Sequence, residues 1–147
     1  MFKNILVPTD GSKLSMKAVD KAIELAKSTG AKLTVLNVIA PYSMMPASDG
    51  YVIEPISGVE WDKVMKQNAD AILAVVKRRA GAKKFSAELM TVRNNLPYDG
   101  IISVAKKRKC DLIVMASHGR RGLTALLLGS ETTKVLTHST IPVLVCR

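Results

Sequence analysis

Aromatic side chains are scarce in this sequence, with one Trp, three Tyr and two Phe making up 4% of it. Any core must therefore be aliphatic. A single-strand nucleic-acid platform, which stacks bases on rings, has little to build on. Cysteine is nearly as rare. Cys110 and Cys146 are the two in the chain, too few for a disulfide framework, and both are expected to be reduced and structural. Metal-ligand spacing is missing: His118 and His138 are too far apart to form a helical pair, and there is no HExxH. No apolar run approaches the length of a membrane span, and Met1 to Val7 is too short a run for a signal peptide. A cytoplasmic protein without a membrane partner is expected. Gly-Lys-Ser/Thr and G-x-G-x-x-G are also absent, which excludes a P-loop and the dinucleotide fingerprint. No Ser/His/Asp set emerges. Ser117 and His118 are neighbours, and neighbouring side chains in an extended segment point apart, so His118 reads as a loop-shaping residue rather than a base.

What remains is an aliphatic, basic chain of 147 residues with a formal charge of +10. Hydrophobic residues at 48% argue against disorder, and the length suits one domain over residues 1–147. The charge invites a nucleic-acid reading. Its densest runs, however, are Lys77-Arg78-Arg79 and Lys106-Lys107-Arg108-Lys109, which fall at the ends of two expected helices and complement their dipoles. No specific nucleic-acid partner is expected.

Hydrophobic periodicity sets the order of elements. Phe2 to Pro8 reads as a strand and Thr9-Asp10-Gly11-Ser12 as a turn. A helix follows from Lys13 to Thr29, with Met16, Val19, Ile23 and Ala26 on one stripe and Gly30 as its stop. Lys32 to Ile39 is a second strand. Residues 40–57, with Pro41, Pro46, Gly50 and Pro55, read as a long mobile connection, a lid or partly disordered. A second helix runs from Val59 to Ala80, with Trp61, Val64, Met65, Asn68, Ile72, Val75 and Val76 inward. Then come a strand at Phe85 to Val92, a helix at Tyr98 to Lys109 and a strand at Asp111 to Ala116. A helix opened by Gly129-Ser130 follows, with Ser130 as N-cap and Val135 and Leu136 on one side. A last strand runs from Thr140 to Cys146.

Strands alternating with helices predict an α/β fold, a single doubly wound domain with helices on both faces of a five-stranded parallel sheet. Pro142 cannot serve two neighbours, which puts the last strand on an edge and makes the order 3-2-1-4-5. Ligands of such sheets bind beyond the carboxyl ends of the strands at the topological switch, here between the first and fourth strands. The loops meeting there are Thr9 to Ser12 and Ala116 to Ser130. The helix opened at Gly129-Ser130 offers backbone N–H groups and a positive dipole end to an anion. Gly119 lets the loop backbone come close, and Arg120 and Arg121 stand on the rim. Asp10 would repel phosphate but suits ribose hydroxyls, while Val38 and Ile39 offer an apolar wall for a purine.

These residues resemble the universal stress protein family over essentially the whole chain. The resemblance rests on Ile-Leu-Val-Pro-Thr-Asp-Gly-Ser near the start, Leu-Asn-Val-Ile in the second strand and Ile-Pro-Val-Leu-Val near the end. Most specific is the stretch from Ser117-His118-Gly119-Arg120 to Leu127-Leu128-Gly129-Ser130. The ATP-binding branch carries Gly, two residues, Gly, nine residues, Gly, then Ser or Thr. Gly119, Gly129 and Ser130 match its later positions, and Ala116 stands in place of the first glycine. The resemblance implies ribose contacts from Asp10 and Ala116, and adenine contacts near Thr9 and Val38. It also implies phosphate contacts at Gly119, Gly129, Ser130 and Glu131. With their neighbours, the expected contact set is Pro8, Thr9, Asp10, Val38, Met115, Ala116, His118, Gly119, Arg120, Gly129, Ser130, Glu131 and Thr132. The extra methyl of Ala116 stands where the backbone should lie close to the ribose, which weakens binding if it crowds the sugar and does not exclude it.

Three functions are consistent with this reading. The first is an ATP-binding stress-response protein acting as a sensor or chaperone-like partner, with Mg²⁺ held through the phosphates, and dimeric through its last strand. The second is a nucleotide-independent dimeric interaction module of the same fold. The third, a slow ATPase, ranks last because no residue stands out as a base to activate water, so no enzyme is expected.

Overall fold

The computed structural model describes residues 1–41, 57–119 and 128–147. The expected lid falls mainly on 42–56, and Arg120 and Arg121 fall within 120–127; both segments lie outside the described residues. The elements are β1 (Asn4–Pro8), α1 (Lys13–Thr29), β2 (Lys32–Ile39), α2 (Gly58–Ala82), β3 (Glu88–Arg93), α3 (Pro97–Lys107), β4 (Leu112–Ala116), α4 (Ser130–His138) and β5 (Val143–Cys146). The strands form one parallel sheet in the order β3-β2-β1-β4-β5, as the alternation and Pro142 predict.

The sheet is covered on both faces, so β1 reads as a continuous apolar run, and Ile5, Leu6 and Val7 are completely buried. The two-residue period sorts them. Ile5 and Val7 join Leu33, Val35, Leu112 and Val114 beneath α1 and α2. Leu6 joins Leu36, Ile113 and Met115 beneath α3 and α4.

α1 keeps its expected bounds because both ends are specified. Ser12 Oγ accepts from the Ser15 N–H at 3.3 Å, and Gly30 ends the helix at φ 70°. α3 ends at Lys107, short of the expected Lys109, because Lys109 adopts φ 53° and closes the helix with a Cys110 N–H to Ala105 carbonyl bond. The buried stripe of α2 is Ala69, Leu73, Val76 and Ala80; Val64 and Asn68, expected inward, are exposed. Two of these four are alanines, which a reading guided by side-chain bulk passes over. Leu136 is likewise exposed, with only Val135 on its side of α4 buried among the pair. The outer strands begin later than expected, at Glu88 and Val143, where pairing with β2 and β4 begins.

Lys3 and Asn4 donate their backbone N–H groups to the Asp111 carboxylate at 2.8 and 2.9 Å, which ties the start of β1 to the start of β4. Partial desolvation opposes ionisation there, but these bonds, the residue's own N–H and the N-terminal ammonium hold the Asp111 carboxyl below its ordinary value. Burial first of all pushes the Cys110 thiol up to about 11, so it is a neutral core group. No helix among the described residues is long and apolar enough to cross a membrane.

Candidate functional site

Parallel strands place every helix start at the same edge of the sheet, the edge where β1 and β4 diverge. Three of those starts have a side-chain acceptor for one of their first N–H groups. Ser12 caps α1, with Ser12 N–H also bonded to Asp10 Oδ1 at 2.9 Å and Gly11 N–H to Thr9 Oγ1 at 3.1 Å. α2 opens with a reciprocal capping box between Ser57 and Glu60. α3 has no cap of its own at Leu96; its Tyr98 N–H donates instead to Glu131 Oε2, from α4, at 2.8 Å.

α4 differs. Its N-cap is Gly129, not Ser130, and glycine brings no side-chain acceptor. The first intrahelical bond runs from the Thr133 N–H to the Gly129 carbonyl at 2.9 Å. That leaves the N–H groups of Ser130, Glu131 and Thr132 without an acceptor among the described residues, and the positive end of the dipole lies with them. Two bonds fix this start against β4: Gly129 N–H to the Ser117 carbonyl at 2.7 Å, and Thr132 Oγ1 to the Ala116 carbonyl at 2.9 Å. The fit is close. A Cβ on Gly129 would lie 3.0 Å from His118 Cα and 3.3 Å from the Ser117 carbonyl oxygen.

The loop after β1 meets the loop after β4 at Asp10 and Gly119. A Cβ on Gly119 would lie 2.6 Å from Asp10 Oδ2, so the carboxylate rests against bare backbone. Behind it, Thr9 is buried. Its N–H donates to the Leu36 carbonyl at 2.8 Å, its hydroxyl shares a bond with Ser15 at 2.8 Å, and its carbonyl accepts from Asn37 Nδ2 at 2.8 Å. Asn37 is a positioning residue absent from the expected set. Its signal was one amide in the apolar run Leu36-Asn37-Val38-Ile39, where a buried polar group must find a partner.

The expected residues thus fall into groups. Asp10, Gly119, Gly129 and Ser130 come together around the crevice at the carboxyl ends of β1 and β4. Pro8, at the end of β1, and buried Thr9 and Thr132 frame it. Met115 is core beneath α3 and α4, and Val38 packs there too, so close to Gly100 that a Cβ on the glycine would be 3.2 Å from its Cγ1. The Glu131 side chain is engaged with Tyr98 and, at 3.0 Å, with Lys134, so only its backbone N–H is available to a phosphate. Ala116 belongs to the core cluster beneath α1 and α2, and its carbonyl accepts from Thr132 Oγ1. Ser117 Oγ and His118 Nδ1 lie 3.2 Å apart, contrary to the expectation that they diverge. They follow the end of β4, where the chain bends and extended alternation no longer applies.

The sequence model of the universal stress protein family matches residues 1–147. The chain belongs to this family. Among its relatives, the universal stress protein YxiE of Bacillus subtilis is 37% identical over all of both chains. The universal stress protein MJ0531 of Methanocaldococcus jannaschii is 33% identical, covering all of this chain and 83% of that one. A crystal structure of a universal stress protein in complex with cAMP is similar at 26% identity, with a TM-score of 0.72 over 99% of this chain and 97% of that one. Universal stress proteins therefore include at least one adenine-nucleotide binder with this fold.

Proposed function

We propose that this universal stress protein binds an adenine nucleotide, ATP foremost, and acts in the stress response as a sensor or chaperone-like partner rather than an enzyme. The observation that carries the reading is the open start of α4 at the sheet's switch point, which aims three backbone N–H groups beside Gly119 and across from Asp10. The triphosphate lies along Gly119, Gly129 and the first turn of α4, where charge and geometry favour an anion. Asp10 accepts from ribose hydroxyls, and the end of β2 around Val38 receives the base. Mg²⁺ is held by phosphate oxygens and water, because the described residues offer no group of three or more His, Cys, Asp or Glu side chains for it. The relative crystallised with cAMP supports the ligand class.

The protein acts as a homodimer through β5. This strand is an edge, with Leu144 exposed and Val143 and Val145 half-buried, and an uncovered apolar edge pairs readily with a second copy about a two-fold axis. Mass spectrometry of the small molecules released on denaturing freshly purified protein tests the nucleotide reading. An adenine nucleotide in near-stoichiometric amount supports it. An empty protein that also fails to take up added ATP leaves the interaction module as its function, and turnover of bound ATP would make it an enzyme.

A further inference from the structure

The edge of the sheet opposite the crevice carries a second polar feature. A cleft of about 350 Å³ opens there, lined by Asn4, Lys32, Thr34, Ser86, Glu88 and Arg108. The alternation of β2 sends Lys32 and Thr34 to the same side as Leu36. Thr34 is only 3% exposed, yet its hydroxyl has no hydrogen-bond partner among the described residues. No fully buried side-chain polar atom among the described residues lacks a partner, so the Thr34 hydroxyl is not fully enclosed, and Thr34 lines the cleft. Valine would fill the same space without an unanswered hydroxyl.

Charge in and around the cleft favours an anion. Lys32 forms no ion pair among the described residues, and Arg108 is held by a single carboxylate, Glu88, at 2.5 Å, which leaves guanidinium N–H groups over. Lys3, Lys106, Lys107 and Lys109 share this edge, likewise without ion pairs among the described residues. The end of α3 would oppose an anion through its carbonyls, but Asn4 Nδ2 caps them, donating to the Arg108 carbonyl at 2.6 Å and the Lys109 carbonyl at 3.4 Å.

We infer that this cleft is a second anion site, taking a phosphate group between Lys32, Arg108 and the Thr34 and Ser86 hydroxyls. The phosphate is free or carried on a small molecule. A tetrahedral oxyanion can use converging donors from an ammonium, a guanidinium and hydroxyls at once. The site is independent of the nucleotide crevice, since it lies at the other ends of the strands.

The test is a titration of ¹⁵N-labelled full-length protein with inorganic pyrophosphate and, separately, glycerol phosphate, at constant ionic strength set with chloride. Saturable shifts of the Thr34 and Arg108 amides are expected, and the tighter of the two probes identifies the source. Lys32→Met should weaken this binding about tenfold and Thr34→Val about fivefold. Thr34→Val should also melt at the same or a higher temperature, so its lost affinity cannot be ascribed to unfolding. The inference is overturned if neither probe shifts these amides beyond what chloride does, if shifts are confined to Ser130–Thr132, or if both variants titrate like the wild type.

Discussion

Each carboxylate oxygen of Asp10 has its own surroundings. Oδ1 accepts from the Ser12 N–H and shapes the turn into α1, while Oδ2 lies against Gly119. Asp10→Ala should therefore lower stability by about 1 kcal/mol through the lost turn acceptor. It should also weaken ATP and ADP by equal factors, worth about 1.5–3 kcal/mol, if the contact is to ribose. Calorimetry with both nucleotides checks this, and a loss confined to ATP would place Asp10 against the phosphates. Ala116 makes the opposite point. A pattern of glycines marks it as a place of close approach, but the structure gives its methyl to the core. Ala116→Gly should lower stability by about 0.5–1 kcal/mol and leave ATP affinity unchanged if the methyl only packs in the core; a rise in affinity would show that it crowds the ribose. The turn at Asp10 and the close backbone approach at Gly129 were legible, because both follow locally from residue type. The packing of the Ala116 methyl was not legible, because strand phase decides which way it points.

Among the elements, α3 and α4 depend on each other. α3 starts at Pro97 behind Leu96, which has no capping group, and Glu131 from α4 supplies the missing acceptor. Lys134 pairs with the same carboxylate, so the acid in the first turn of α4 is engaged along the seam with α3 rather than left at the open helix start. Lys134 also lies 5.5 Å from the centre of the Tyr98 ring, and His138 packs 5.1 Å from it, extending the seam between the two helices. Glu131→Ala should cost about 1 kcal/mol and accelerate hydrogen exchange at the Tyr98 amide, whereas Glu131→Gln should retain most of both. Unchanged exchange in the alanine variant would show that α3 starts unaided. This cross-helix cap was not legible, because it joins residues 33 positions apart through the fold. The bounds of α1 and β2 were legible for the converse reason. Ser12, Gly30 and the change from a helical to a two-residue period are all local. On the inner face of α2, Val76 was legible, while Val64 and Asn68 were misread because the buried stripe runs through Ala69, Leu73 and Ala80 instead.

At the scale of the molecule, the strand order followed from one proline and the rule of right-handed crossovers, and it places the loops after β1 and β4 side by side. The same order leaves β5 on an edge with Leu144 exposed. Val145→Lys should convert the proposed homodimer to monomer in sedimentation experiments, and an unchanged dimer would place the interface elsewhere. The central claim, that the open start of α4 is a phosphate cradle, is tested most directly by isothermal titration of ATP into the wild type and Gly129→Val. A valine Cβ would push into the Ser117-His118 backbone and displace the helix start. The account predicts saturable binding to the wild type and a loss of at least about tenfold, or 1.4 kcal/mol, in the variant with the fold retained. Equal affinity in the two proteins, or no binding of ATP by the wild type at millimolar concentration, would contradict it.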